Sequence, residues 1–270
     1  MSDTKQNLLD DLITFLENEK EMYGPFSVNI NVQSKQTFSP PLEDLASNAS
    51  ATPDSEEVAP DTSEVVEEEA TEKPLTLEQR LKNCTTLKEL KELCQSAEQL
   101  KTDLEGTNLV FGVGNPNADL MVIGEAPGYN EDQQGEPFVG AAGQLLDKIL
   151  KAINFDRKDI YIANILKHRP PDNRNPTSEE RERSLPYLER QIDLINPKVI
   201  LCVGKVSGTT LLGKDDALKN MRGKFHDYRG AKLTVTYHPA ALLRNPKWKR
   251  PVWEDVQQVR SMYDKLDGSP

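Results

Sequence analysis

Cysteine, histidine, positive charge and long apolar runs are all scarce in this chain of 270 residues, and each scarcity closes a route. Cys84, Cys94 and Cys202 are the only thiols, and they form neither a CxxC pair nor a disulfide framework. His168, His226 and His238 stand without a neighbouring Cys pair, so no metal site of recognisable spacing is present. No apolar run approaches the roughly 20 residues that span a bilayer. The first residues, MSDTKQNLL, lack the basic start and apolar core of a secretory leader. These absences lead us to expect a cytoplasmic protein with no membrane partner.

The shortage of positive charge is local. The formal net charge is −11, but residues 1–106 hold 9 Lys and Arg against 23 Asp and Glu, while residues 107–270 hold 24 against 21. The acidity therefore belongs to the N-terminal part, and the remainder is mildly basic.

What is present falls into three segments. In Gln6–Met22 the residues Leu8, Leu9, Leu12, Ile13 and Leu16 repeat at helical spacing, so residues 1–23 read as an amphipathic helix with no local core. It can dock on the rest of the chain or on a protein partner through residues 6–22. Residues 24–74 are rich in Ser, Thr, Pro, Asp and Glu, too polar to offset their ordering entropy, and read as a disordered acidic linker. Residues 75–270 form one domain with its core at 107–266. Thr85 and Thr86 cap a helical pattern over Leu87, Leu90 and Leu93, and an irregular lead-in covers Asn108–Gly114. Strands are expected at Leu120–Ile123, Ile160–Leu166, Val199–Val203 and Leu233–Tyr237. Helices are expected at Ala141–Ile153, Thr177–Ile195 with a Thr177/Glu180 capping box, Val206–Leu212 and Trp253–Leu266. Strands alternating with helices predict a three-layer α/β/α sandwich around a four-stranded parallel sheet, preceded by the N-terminal extension.

The chemistry collects in three loops after strands, where ligands bind in open α/β sheets. GEAPGYNEDQQGEPFVG is about sixteen residues long, which marks a functional loop rather than a connector. The second reads Asn164-Ile165-Leu166-Lys167-His168-Arg169-Pro170-Pro171-Asp172-Asn173-Arg174. The third runs from Tyr237-His238-Pro239 through Leu242, Leu243 and Arg244 to Lys247, Lys249 and Arg250. Several cations and stiffening prolines at one sheet edge suit a polyanion, with phosphate contacts expected from Lys167, Arg169, Arg174, Arg244, Lys247, Lys249 and Arg250. Two other motifs fail. Gly112-Val113-Gly114 precedes the first core strand, so it is no dinucleotide fingerprint, and Gly204–Gly208 lacks P-loop spacing.

GEAPGYNEDQQGEPFVGAAGQLL, NILKHRPPDNRNPTSEE and YHPAALLRNP together resemble the uracil-DNA glycosylase superfamily, in particular its family 4 branch, over roughly residues 107–266. The resemblance implies an enzyme that binds uracil-containing DNA, flips the uracil out of the stack and hydrolyses its N-glycosidic bond. It implies that Phe138 stacks on the base, Asn164 reads its Watson–Crick edge, and His238 donates to O2 of the leaving uracil. Glu131 would face the position of a thymine methyl. The Glu125–Gly128 backbone would hold the attacking water near the sugar, Gly124 and Ala126 would line the uracil pocket, and Leu242 or Leu243 would wedge into the duplex with Arg244 next to the backbone. Ala126 stands where a more familiar branch places an activating Asp, so the general base is left open between Glu125, Glu131 and backbone groups.

Family 4 also implies a four-iron–four-sulfur cluster on four cysteines. Here the third matching position is His168, the fourth is Ser184, and Cys94 is followed three residues later by Ala97. At most one ligand matches where four are needed, so we expect no metal and no cofactor. The protein is expected to act as a monomer. The rival expectation is a non-catalytic or altered-specificity DNA-binding protein of the same fold, using the N-terminal segments for recruitment.

Overall fold

The computed structural model describes residues 75–268. The expected helix Gln6–Met22 and the linker 24–74 lie outside them. Two helices open the described chain, α1 (Leu77–Asn83) and α2 (Leu87–Gln95), each begun by a threonine in a reciprocal capping box: Thr76 with Gln79, Thr86 with Glu89. Their apolar side, with Leu81, Cys84, Leu90, Cys94, Ala97 and Leu100, packs on Phe111 and Tyr187 as a core of its own.

The sheet contains β1 (Val113–Gly114), β2 (Leu120–Gly124), β3 (Tyr161–Asn164), β4 (Val199–Val203), β5 (His226–Tyr228) and β6 (Ala231–Thr236). Their order across it is β1-β3-β2-β4-β6-β5. The central four are parallel, as expected, and β1 and β5 add short antiparallel edges. Those edges escaped the sequence because two or three half-exposed residues carry no readable alternation. Strands β2, β3 and β4 are buried at every position, the state of a sheet covered on both faces.

Between the strands lie α3 (Tyr129–Gln134), α4 (Ala141–Lys151), α5 (Ser178–Ile195), α6 (Lys205–Leu212), α7 (Leu218–Met221), α8 (Pro239–Arg244) and α9 (Lys249–Lys265). Met121, Ile123, Ile200, Cys202, Leu233 and Val235 pack against Leu188 and Ile192 of α5, Leu211 of α6 and Met221 of α7. Helix α9 covers the other face at β4 and β6 and touches α4. The capping box of α5 joins Thr177 and Glu180, as its sequence indicates. Helix α9 starts at Lys249 rather than Trp253 because Pro251 falls in the first turn, where a missing N–H breaks no helical bond.

Candidate active site

The carboxyl ends of β2, β3 and β6 deliver Glu125, Asn164 and His238 to one cleft of about 450 Å³, which Ala126, Glu131, Phe138, Arg174 and Arg244 also line. Gly124 and Asn164 are register partners at the ends of adjacent parallel strands. A Cβ on Gly124 would fall 2.4 Å from Asn164 Oδ1 and 2.5 Å from Phe138 Cζ. Glycine at this position is therefore what lets the amide and the ring share the cleft floor. Asn164 is 2% exposed, and its Oδ1 has no hydrogen-bond partner. A buried acceptor left without a donor costs about 1–3 kcal/mol, so an N–H offered to Asn164 Oδ1 from the cleft would be favoured.

Phe138 reaches the cleft through a left-handed backbone, φ 55°, which strains a residue with a Cβ. The strain is held from two sides. Arg157 donates to the carbonyl oxygens of Pro137 and Phe138, the latter at 3.1 Å, and pairs with Asp147. Helix α4 closes over the same peptide at Gly143, where a Cβ would meet Phe138 O at 1.9 Å. The Phe138 ring then stacks on His238, centroids 5.5 Å apart at 28°.

His238 caps α8: its Nδ1 accepts the Ala240 N–H at 3.2 Å. The ring proton of the neutral imidazole is thus on Nε2, which remains a donor. Burial pushes the His238 pKa down to about 4, the Arg244 charge assists, and Glu131 opposes. The ring is neutral at pH 7.

The two acidic candidates differ. Glu131 accepts three backbone N–H groups, from Gly128 at 3.2 Å and from Val139 and Gly140 at 3.0 Å each. Its carboxylate fastens the loop onto itself. Glu125 is half-buried in the cleft, and burial raises its pKa against the nearby Arg181.

Two sequence expectations are corrected here. Lys167 cannot meet a phosphate: it is fully buried, and its Nζ donates to Asn164 O at 3.1 Å, Phe111 O at 3.2 Å and Gln191 Oε1 at 2.5 Å. Backbone pairing continues past β3, Ile165 N–H to Gly124 O and Leu166 N–H to Glu125 O, and Lys167 follows it into the interior. Burial lowers the Lys167 pKa to about 8, with Cys94 opposing. Leu242 is 1% exposed and belongs to the core, whereas Leu243 is half-buried and Arg244 exposed. Of the other cations, Arg174 is held by both oxygens of Glu180 at 2.8 Å, and Arg169 donates to Asn173 Oδ1 at 2.7 Å. Sequence reasoning missed Arg157, Gly143 and the lining residues Pro170, Asn173 and Asn175. Only Gly143, a glycine in the first turn of an expected helix, carried any signal.

An iron–sulfur cluster does not fit the residues present. Cys84 and Cys94 are buried in the satellite core of α1 and α2, while Cys202 lies inside β4. At the two further positions that the family resemblance marks, His168 Nδ1 bonds Thr107 Oγ1 at 3.0 Å and Ser184 is buried in α5. Burial pushes the Cys94 thiol up to about 12, far from a ready thiolate. Among the described residues no three His, Cys, Asp or Glu converge as a metal site.

The α/β/α sandwich thus gathers in one cleft a buried Asn at the end of β3, a Phe from the loop after β2 and a neutral His just past β6. The family model of the uracil DNA glycosylase superfamily matches residues 111–257. The chain belongs to that superfamily. Its relatives include type-4 uracil-DNA glycosylases from Archaeoglobus fulgidus, 39% identical over 64% of this chain and 89% of that protein, and Sulfurisphaera tokodaii, 40% over 66% and 84%. A type-4 uracil-DNA glycosylase from Thermotoga maritima is 40% identical over 60% and 86%.

Proposed function

We propose that this protein is a monofunctional uracil-DNA glycosylase acting in base excision repair, hydrolysing the bond between uracil and deoxyribose. The observation that carries the reading is the unpartnered Oδ1 of Asn164 in the cleft that Phe138 also lines. Uracil offers N3–H to that oxygen and O4 to the amide NH₂, a pairing that cytosine reverses. Phe138 stacks on the base, and His238 Nε2–H donates to O2. As the glycosidic bond breaks, its electron pair moves onto the uracil, and the neutral imidazole stabilises the resulting anion. Water then adds to the sugar carbon and passes its proton to the Glu125 carboxylate. Glu125 is the carboxylate left to orient that water, since a raised pKa makes it a better base. Glu131 shapes the wall that faces a thymine methyl and keeps the loop closed.

Arg169, Arg174 and Arg244 serve the phosphates, and Leu243 takes the wedge position, since Leu242 is core. The reaction runs without an iron–sulfur cluster. Two neighbouring thiols in place of four support this, as does the apolar packing of Leu81, Leu90 and Leu100. We read the protein as cytoplasmic and monomeric, with residues 6–22 open to a protein partner. No helix of the described residues is long and apolar enough to cross a membrane.

The test is incubation of the purified protein with labelled uracil-containing oligonucleotides, then alkaline cleavage, beside Asn164→Ala and with EDTA. Cleavage at uracil that survives EDTA and collapses in the variant is expected. DNA binding without cleavage would replace the enzyme with a recruitment protein, and absorbance near 400 nm would restore the cluster.

A further inference from the structure

Tyr129 and Leu75 are the large apolar side chains left exposed among the described residues, and Leu75 is the first residue described. Tyr129 is 56% exposed on the first turn of α3, directly after Gly128, which lines the cleft. Its backbone is fixed: Gly128 N–H is bound by Glu131, and Asp132 accepts the Asn108 N–H at 2.7 Å. The Arg169 guanidinium lies over the Tyr129 ring, 5.1 Å from its centroid. Arg169 is fixed as well, by Asn173 Oδ1 at 2.7 Å and through its carbonyl by Thr102 Oγ1 at 2.6 Å. It directly precedes Pro170, which lines the cleft with Asn173. Among the described residues no carboxylate pairs with Arg169, whereas Arg174 is held by Glu180.

An exposed ring backed by an uncompensated cation is the pattern that binds single-stranded nucleic acid: the ring takes a base face and the cation takes the backbone. We propose that Tyr129 and Arg169 form a stacking subsite for one unpaired nucleobase beside the extruded uracil. The subsite rests on the glycosylase reading for its substrate. It accepts any base, because every base has a π-face, and it serves single-stranded DNA. In a duplex the neighbouring base stays paired within the helix, and the face that uracil extrusion frees is taken by the Leu243 wedge, so it has none to give.

The experiment compares the full-length protein with Tyr129→Ala and Tyr129→Phe on single-stranded oligonucleotides whose base 5′ or 3′ of uracil is present or replaced by a tetrahydrofuran abasic analogue. Wild type and Tyr129→Phe should lose about tenfold in kcat/KM when one of those bases is removed, the scale of one base–aromatic stack. Tyr129→Ala should already show that loss and be indifferent to the missing base. On duplex substrate the three proteins should cleave alike. An equal response of wild type and Tyr129→Ala to the abasic neighbour overturns the subsite, as does an equal loss by Tyr129→Ala on duplex. Fluorescence anisotropy with the same single strands keeps the two readings separate. A protein that cleaves nothing fails as a glycosylase, yet weaker binding by Tyr129→Ala, abolished with the abasic neighbour, still supports the subsite, and unchanged binding removes it.

Discussion

Arg157 holds the carbonyl oxygen of Phe138 at 3.1 Å while Phe138 sits at φ 55° beneath the His238 ring. A left-handed phenylalanine relaxes unless its peptide is clamped, at a cost of order 1–3 kcal/mol. Removing the clamp with Arg157→Ala should let the ring leave the cleft and lower kcat/KM about 10- to 100-fold, the rate equivalent of that strain. Arg157 touches no substrate, so its role is positioning. A melting curve close to wild type, with partial rescue by Arg157→Lys, separates loss of ring placement from loss of fold. Unchanged kcat/KM in Arg157→Ala would mean that Gly143 and α4 hold Phe138 unaided.

Gly124 offers a sharper test of the cleft floor. An Ala at this position places a methyl 2.4 Å from Asn164 Oδ1 and 2.5 Å from the Phe138 ring, and both are buried. One of them must move, and a displacement near 1 Å in a reactive geometry costs on the order of 100-fold. Gly124→Ala should fold, bind DNA, and lose about that factor in kcat. Full activity would show that Asn164 and Phe138 do not need their present positions over Gly124.

The parallel core was legible because buried apolar runs alternate with helical patterns, and the loops after β2, β3 and β6 were legible as the place where polar residues gather. Asn164, Phe138 and His238 stood out within those loops through the resemblance of their motifs to the glycosylase superfamily, and the fold brings all three to one cleft. Arg157 and Lys167 were not legible, because both act on backbone carbonyls, of Phe138 and Asn164, and any residue can supply a carbonyl. Lys167 was misread as a phosphate contact because it neighbours Arg169 in a basic loop, and composition does not tell which side of a turn faces inward. Leu242 and Leu243 are adjacent on a six-residue helix too short to show a period, so only the fold assigns one to the core.

The pH profile separates Glu125 from His238. His238 is depressed to about 4, so from neutrality down to that value its ring keeps the donor proton on Nε2 and does not limit the reaction. Burial raises the Glu125 pKa, so protonation of Glu125 should set the acid limb, with kcat/KM falling as pH drops through that pKa. Glu125→Gln should be slower at pH 8 and flat until about pH 4, where His238 protonates. Stability carries a separate sign. The folded state binds fewer protons than the unfolded chain between the ordinary histidine pKa, about 6.5, and the depressed value, so stability falls as pH drops through that window. His238→Ala should lose that part of the pH dependence. An unaltered acid limb in Glu125→Gln would remove Glu125 from the chemistry.

Salt dependence separates cations that touch DNA from one that is buried. Each phosphate contact contributes a slope of about −0.9 in log K against log salt on duplex DNA and about −0.7 on single strands. Arg244 is exposed at the cleft, so Arg244→Ala should reduce the slope by about one contact. Lys167→Met should leave it unchanged, because Nζ is spent on Asn164, Phe111 and Gln191. The same variant should lose a pH effect instead. With its pKa lowered to about 8 against about 10.4 unfolded, Lys167 gives up its proton in the folded state first. Wild-type stability should therefore rise with pH across that interval by an increment absent from Lys167→Met. A lower salt slope in Lys167→Met would return the ammonium to the DNA surface and contradict its burial.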